Sequence, residues 1–497
     1  MVAPRHPSIS STSSTIVHEP VEHLPVASEK ADPFEVTLDL DDPARPQNWS
    51  RVKRWYLTGV AGSLVLNATF ASSAPSGILL DLIAEFGMAR LVGVLTISLF
   101  VAGYCVGPLL WGPLSEQYGR RPIFLIAFGV YACFQIGGAL ARSTAQVLVF
   151  RFLGGTFAAA PLTNSGALIS DLWDARTRGK ALALFTLAPF AGPALGPTVA
   201  GYINVSGTSW RWVFWILSIF AGVCFLMIVF TVPETYVPVL LVHKAKRLRK
   251  ETGDPRYFAP MEREKLGAAE HVERIVAKPF KVLFREPVLI AITLYMSFVY
   301  GCIYLLFEAF PIVFTVGHRF NAGASGLMFL PILIGGVIGV IGYLVIFDPR
   351  YAAAVEKYAP EPVPPEFRLE MALFAAPAFC VAFCWFGWTS FPSISFWAPM
   401  LAGGLMGFAI VWIFLPLFNY IIDTYLFIAA SALAANTIVR SVFGAVFPLF
   451  ANQMFEGLGP RWASSVLGFV ALIMIPIPFV LIKFGPTLRA RSKHAPS

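Results

Sequence analysis

The chain has 497 residues, of which 57% are hydrophobic and only 13% charged, with a formal net charge of +8. A soluble domain carries about 25% charged residues, so this composition belongs to a protein built for lipid. The positive balance does not call for a nucleic-acid partner. The cations sit beside apolar runs, where the positive-inside rule expects them, and not on a polar domain.

Residues 1–50 are polar and rich in Ser, Pro and acidic side chains. They lack the apolar centre of a signal peptide, so residues 1–55 are expected to form a disordered cytosolic tail, a solvated linker before the first span. Stretches of ~20 apolar residues suffice to cross a bilayer. They fall near 56–77, 92–114, 122–141, 146–170, 180–203 and 211–232, then, after a polar connection at 233–286, near 288–315, 323–347, 369–390, 394–421, 425–450 and 464–484. The region 394–450 is the hardest to divide. Twelve spans as six plus six give an all-α membrane protein: bundles at 56–232 and 287–484, a cytosolic central loop at 233–286 and a cytosolic tail at 485–497.

Charge tests the count. Arg120 and Arg121, Arg176, Arg178 and Lys180, the basic central loop, then Arg350, Lys357 and Arg368 fall in alternate connections. The others hold Arg90, Arg142, Arg211, Arg319 and Arg461, one each, while Lys483, Arg489, Arg491 and Lys493 follow the last span. This bias places both termini inside with an even number of spans. The central loop carries Lys244-Ala-Lys-Arg-Leu-Arg-Lys250, dense enough to associate with anionic lipid or to serve as a solvated linker. The six cysteines all lie inside apolar runs and read as small hydrophobes, not as a disulfide framework or metal site.

Between the second and third spans stands Gly112-Pro-Leu-Ser-Glu-Gln-Tyr-Gly-Arg-Arg-Pro122, a sharp turn with two glycines and the charges Glu116, Arg120 and Arg121. This stretch resembles the loop signature of major facilitator superfamily transporters. Asp171, at the inner end of the fourth span, is placed to pair with Arg120 or Arg121. The resemblance implies a charge relay among these residues that stabilises one conformer and breaks as the halves rock.

Arg151 lies inside the fourth span, where an arginine is costly unless it faces the interior with a partner. Its setting, Arg-Phe-Leu-Gly-Gly155, resembles the superfamily motif whose arginine is associated with proton coupling. In the fifth span, Gly192, Pro193, Gly196, Pro197 and Gly201 predict a kinked helix packed closely on a neighbour. They resemble the antiporter motif of exporters, with Ala200 at a position usually glycine.

The seventh span places Tyr300, Tyr304 and Glu308 four residues apart on one helical face. A charged carboxylate is costly against lipid, so Glu308 is expected to point inward and is the first choice for the proton site. On the eleventh span, Asn436 and Arg440 are also four apart and, with Tyr300 and Tyr304, are candidates to line a cavity. Arg440 either balances Glu308 or contacts substrate. Asn67 and Asn164 are weaker candidates for the same lining. These segments, with Asp42-Pro-Ala-Arg-Pro-Gln-Asn-Trp49 and Pro233-Glu-Thr-Tyr236, resemble the fungal twelve-span drug:proton antiporters.

That resemblance, over about residues 40–495, implies a major facilitator fold of two six-helix bundles around a central cavity. It implies proton-coupled efflux of hydrophobic small molecules such as drugs, fungicides or a fungal toxin. A nutrient uptake symporter and a non-transporting membrane sensor are the alternatives. There is no phosphate-binding Gly-x-x-x-x-Gly-Lys-Ser/Thr loop and no metal-ligand motif, so no cofactor, metal or catalytic residue is expected. The expected partners are substrate, protons and membrane lipid, with no nucleic acid, in a monomer of the plasma membrane or, alternatively, the vacuolar membrane. The Asn204-Val-Ser sequon sits in a short outward loop too close to the membrane for reliable modification.

Overall fold

The computed structural model describes residues 32–39, 41–174, 177–263, 277–359, 363–425 and 428–491. Apolar helices dominate it. The spans are Arg51–Phe86, Arg90–Tyr118, Arg120–Ala139, Thr144–Leu172, Arg178–Val205 and Arg211–Thr231 (spans 1–6), then Pro287–Gly317, Ala322–Tyr358, Pro365–Thr389 and Trp397–Thr424 (spans 7–10). The last apolar stretch, Ser431–Ala490, is 60 residues long. As one rod it would reach ~90 Å, three times the hydrocarbon core. It breaks at Gly459, whose φ of 73° and ψ of 158° are not helical, and Pro460 follows. The stretch is therefore two spans, 11 and 12, and the total is twelve.

Several boundaries differ from those read by hydropathy, because helices outrun the lipid. Span 2 continues through Gly112, Pro113 and Glu116 to Tyr118. The turn into span 3 is a single residue, Gly119 (φ 101°). Span 5 is interrupted at Thr186, and the helix Leu187–Val205 continues through both Pro193 and Pro197.

Residues 1–31 of the expected tail lie outside the described residues, but residues 32–39 and 41–50 make defined contacts that their composition does not suggest. Among them, Val36 N–H donates to the Phe258 carbonyl and Phe258 N–H to the Phe34 carbonyl, at 2.9 and 3.0 Å. Val36 is buried with Ala245 and Ala259 beside the helix Val237–Thr252. Lys244 binds Asp42 at 3.1 Å and Arg249 binds Glu262 at 2.7 Å. Val36 finds one face of a basic amphipathic helix, and Phe34 packs against Tyr257 and Arg256 just beyond it, which holds this strap in place. The strap and the central connection share one face of the molecule, the loop side; the opposite face is the far side.

Candidate functional site

The predicted stripe on span 7 forms. Tyr304 is buried and its hydroxyl lies 2.9 Å from Ser72 Oγ of span 1, while Tyr300 OH donates to Tyr304 OH at 3.4 Å. The Ser72 carbonyl in turn accepts from Arg151 Nη2 at 3.4 Å. Arg151, only 2% exposed, also donates from Nε to the Thr96 carbonyl at 2.6 Å and lies 4.0 Å over the Phe100 ring. Among the described residues its partners are carbonyls and an aromatic face, with no carboxylate, and Nη1 is enclosed without a partner. At the other end of the stripe, the Arg440 guanidinium stands 4.7 Å over Tyr300 and 5.5 and 5.7 Å from Phe418 and Phe414. Ser72, Tyr304 and Tyr300 therefore join two interior arginines, one from each bundle.

Glu308 shares the stripe's face but takes another partner. It is 2% exposed, and its Oε2 lies 3.6 Å from Arg90 Nη2 at the start of span 2. Arg90 Nη1 also lies 3.4 Å from Glu456 Oε1 at the end of span 11. Arg90, not Arg440, balances Glu308. In the sequence Arg90 was merely a lone cation in an outward connection, and nothing local marked it as the partner of a residue more than two hundred positions away. Glu308 Oε1 is enclosed and makes no hydrogen bond. Asn436 is fully buried and donates to Thr293 Oγ1 at 3.3 Å, so it ties span 11 to span 7 instead of facing a cavity. Asn67 accepts from Tyr131 OH at 2.7 Å and Asn164 from Ser115 Oγ at 2.8 Å, both within the first bundle.

On the loop side, Arg120 Nε pairs with Asp171 at 3.3 Å, its Nη1 donates to Ser115 Oγ at 2.6 Å, and it lies 4.7 Å over Tyr236. Glu234 completes this cluster. It accepts from the backbone N–H groups of Arg120 (2.9 Å) and Arg121 (3.1 Å) and from those of Thr235 and Tyr236 (both 2.9 Å). The first N–H groups of a helix have no internal acceptor, so the carboxylate anchors the start of span 3. Arg121 donates to the Val229 carbonyl at 3.0 Å, and Glu116 is exposed, outside the cluster.

The second bundle repeats the scheme without repeating the sequence. Arg368 pairs with Asp423 at 3.0 Å and lies 3.6 Å over Tyr351, and Arg489 grips Glu366 with two bonds of 3.0 Å. Lys180 approaches Asp348 at 3.9 Å across the two bundles.

The glycines of span 5 divide by partner. A Cβ on Gly192 or Gly196 would collide with Thr69 Oγ1 or Ser73 Oγ of span 1, inside the first bundle. One on Gly201 would collide with the Ala322 carbonyl of span 8, in the second. Pro193 and Pro197 are buried in the same seam, and Thr198 Oγ1 donates to the Gly326 carbonyl at 2.8 Å. With the Arg90 contacts, the Gly201 and Thr198 approaches to span 8 bring the two bundles together on the far side.

Comparison with known proteins agrees with this architecture. The family description Major Facilitator Superfamily matches residues 60–448. The chain is 41% identical to the multidrug transporter mdrA of Aspergillus fumigatus, over 93% of this chain and 76% of that one. It is 39% identical to the efflux pump FUBT of Fusarium oxysporum, over 93% and 78%. The proton:xylose symporter XylE shares the fold with a TM-score of 0.61 at 16% identity, covering 88% of this chain and 96% of that one. The chain belongs to the major facilitator superfamily and is a multi-pass membrane protein.

Proposed function

We propose that this chain is a proton-driven exporter of hydrophobic small molecules, with the loop side and both termini in the cytosol and the far side outside the plasma membrane. Its relatives include a protein named as a multidrug transporter and one named as an efflux pump, which supports the direction. The observation that carries the coupling is the position of Glu308: a buried carboxyl within the contact that joins the bundles at the far side.

In the closed form the Glu308 carboxylate is held by Arg90, which Glu456 also engages. Without cargo this lock keeps the deprotonated carrier shut on the outside. Cargo entering from the cytosol offsets the loss of the lock and lets the far side open. Glu308 then takes a proton from outside, and a neutral carboxyl is enclosed again at less cost than a charged one. Return to the cytosolic side releases the proton and restores the Arg90 pair. Arg120, Asp171 and Glu234 on one bundle, with Arg368 and Asp423 on the other, steady the loop side in alternate conformers. Arg151 holds spans 1, 2 and 4 together beside Tyr304.

The test is efflux of hydrophobic dyes and drugs from preloaded vesicles under an imposed proton gradient, wild type against Glu308→Gln. Gradient-driven export lost in the variant, and abolished by a protonophore in the wild type, is expected. Gradient-driven uptake instead would overturn the direction, and full export by Glu308→Gln would overturn the proton site.

A further inference from the structure

We infer that Arg440 is the anion-binding point of the cargo site, and that the transported molecules include amphipathic organic anions: a flat apolar body bearing a carboxylate. The inference rests on the transporter reading above and names the cargo class for it. Arg440 lies half-buried near the middle of span 11. Its Nε is enclosed with no hydrogen-bond partner among the described residues, and its guanidinium stands over the faces of Tyr300, Phe414 and Phe418. The acids of the described interior are engaged elsewhere: Glu308 by Arg90, Asp171 by Arg120, Asp348 by Lys180, Asp423 by Arg368, Glu366 by Arg489, and buried Glu286 by the Tyr425 hydroxyl.

Arg151, joined to Arg440 through Ser72, Tyr304 and Tyr300, has carbonyl partners and no acid. Arg440 is thus an interior cation with no paired anion among the described residues, and Arg151, enclosed within the first bundle, stands behind it. An interior cation without a counter-charge is costly, and aromatic faces offset only part of that cost. A carboxylate arriving with the cargo supplies the missing charge, and the planar guanidinium presents a fork that fits it.

The surroundings fit the rest of such a molecule. Phe414 faces Phe190 of the other bundle with ring centroids 6.1 Å apart, and Tyr300 lies 6.5 Å from Phe414. The partly exposed Tyr300, Phe190 and Phe418, backed by buried Phe414, offer a stacking wall beside the charge. A cationic cargo of the same shape would meet the Arg440 guanidinium and be rejected.

The test separates binding from transport by using one ring system in three charge states: 1-naphthoate, 1-naphthamide and 1-naphthylmethylammonium. Binding to purified protein in lipid nanodiscs is measured at one pH, in gluconate and in chloride buffers. The wild type is expected to bind naphthoate at least about tenfold more tightly than the amide, the ratio for a charge-assisted contact, and to reject the ammonium. Arg440→Gln is expected to remove that preference while leaving amide affinity unchanged. Arg440→Lys retains the preference in part, and unaltered amide binding in both variants shows that the fold is intact. Equal binding of acid and amide by the wild type, or equal loss of both in Arg440→Gln, overturns the inference, as does saturation of the site by chloride at physiological concentration. Discriminating binding without gradient-driven export in vesicles would leave the anion site standing and overturn the exporter reading instead.

Discussion

At the residue scale, the candidate side chains divide by whether their partners are near or distant in sequence. Glu308, Tyr304 and Tyr300 were legible because helical periodicity puts residues four apart on one face. Arg120 and Asp171 were legible through the resemblance of the surrounding motif. Arg90 and Glu234 were not, since each acts on a helix remote in sequence and neither stands in a pattern that names its partner. Glu234 makes a testable case. Its carboxylate accepts from four backbone N–H groups, two of them opening span 3. Glu234→Ala leaves those donors short of an acceptor beside the Arg120–Asp171 pair. The loss is expected to be about 1–3 kcal/mol, the cost of a removed charged cap. It is measured as a fall of a few degrees in the thermal midpoint of the solubilised protein, with Glu234→Gln in between. An unchanged midpoint in Glu234→Ala would show that solvent or lipid satisfies span 3 equally well.

At the element scale, hydropathy found every span but misplaced their ends. Composition reports the lipid-facing length, whereas the helix Arg90–Tyr118 persists beyond it until Gly119 allows the chain to turn. The same limit blurred the fifth span, where one run of small residues serves two purposes. Gly192 and Gly196 admit span 1 of the same bundle, and Gly201 admits span 8 of the other. Small residues allow such close helix approach in lipid, and a branched side chain there has nowhere to go because the obstacles include backbone. Gly192→Val is therefore expected to destabilise the first bundle itself, lowering expression and the thermal midpoint. Gly201→Val is expected to spare the fold while wedging the far side open. The readout is thiol labelling from outside at Thr198→Cys, faster with Gly201→Val than without it. Equal labelling would mean that the span 5–span 8 contact does not close the far side.

At the scale of the whole molecule, the two bundles are alike in charge placement more than in sequence. Arg120–Asp171 and Arg368–Asp423 each join the start of a bundle's third span to the end of its fourth, although only the first pair stands in a recognisable motif; each arginine also lies over a tyrosine, Tyr236 after span 6 and Tyr351 in span 8. The sequence hinted at the second copy through Asp348 and Arg350. The arginine that makes it, Arg368, belongs to the next span, so a search for a repeated loop looked in the wrong place. The strap was hidden for a different reason: two apolar residues within an acidic stretch carry too little periodicity to predict a docking site.

Charge fixes how that strap should respond to acid. Asp42 is held below its ordinary carboxylate value, first by the Ala44 backbone N–H and then by Lys244. Glu262 is held down chiefly by Arg249. A carboxylate whose pKa is depressed on docking contributes stability that is complete above its free value and fades as pH falls through the depressed one. The strap is therefore expected to stay docked without change from neutral pH down to about 5 and to loosen only below about 4, the free carboxylate range. Hydrogen exchange of residues 237–252 measures this, with protection constant across the upper range and falling in the lower. Lys244→Gln, which removes the Asp42 partner, should shift the loosening toward higher pH. Loss of protection already between pH 7 and 6 would assign the docking to groups other than these acids. Protection that persists in acid would assign it to the Phe34 and Val36 contacts alone.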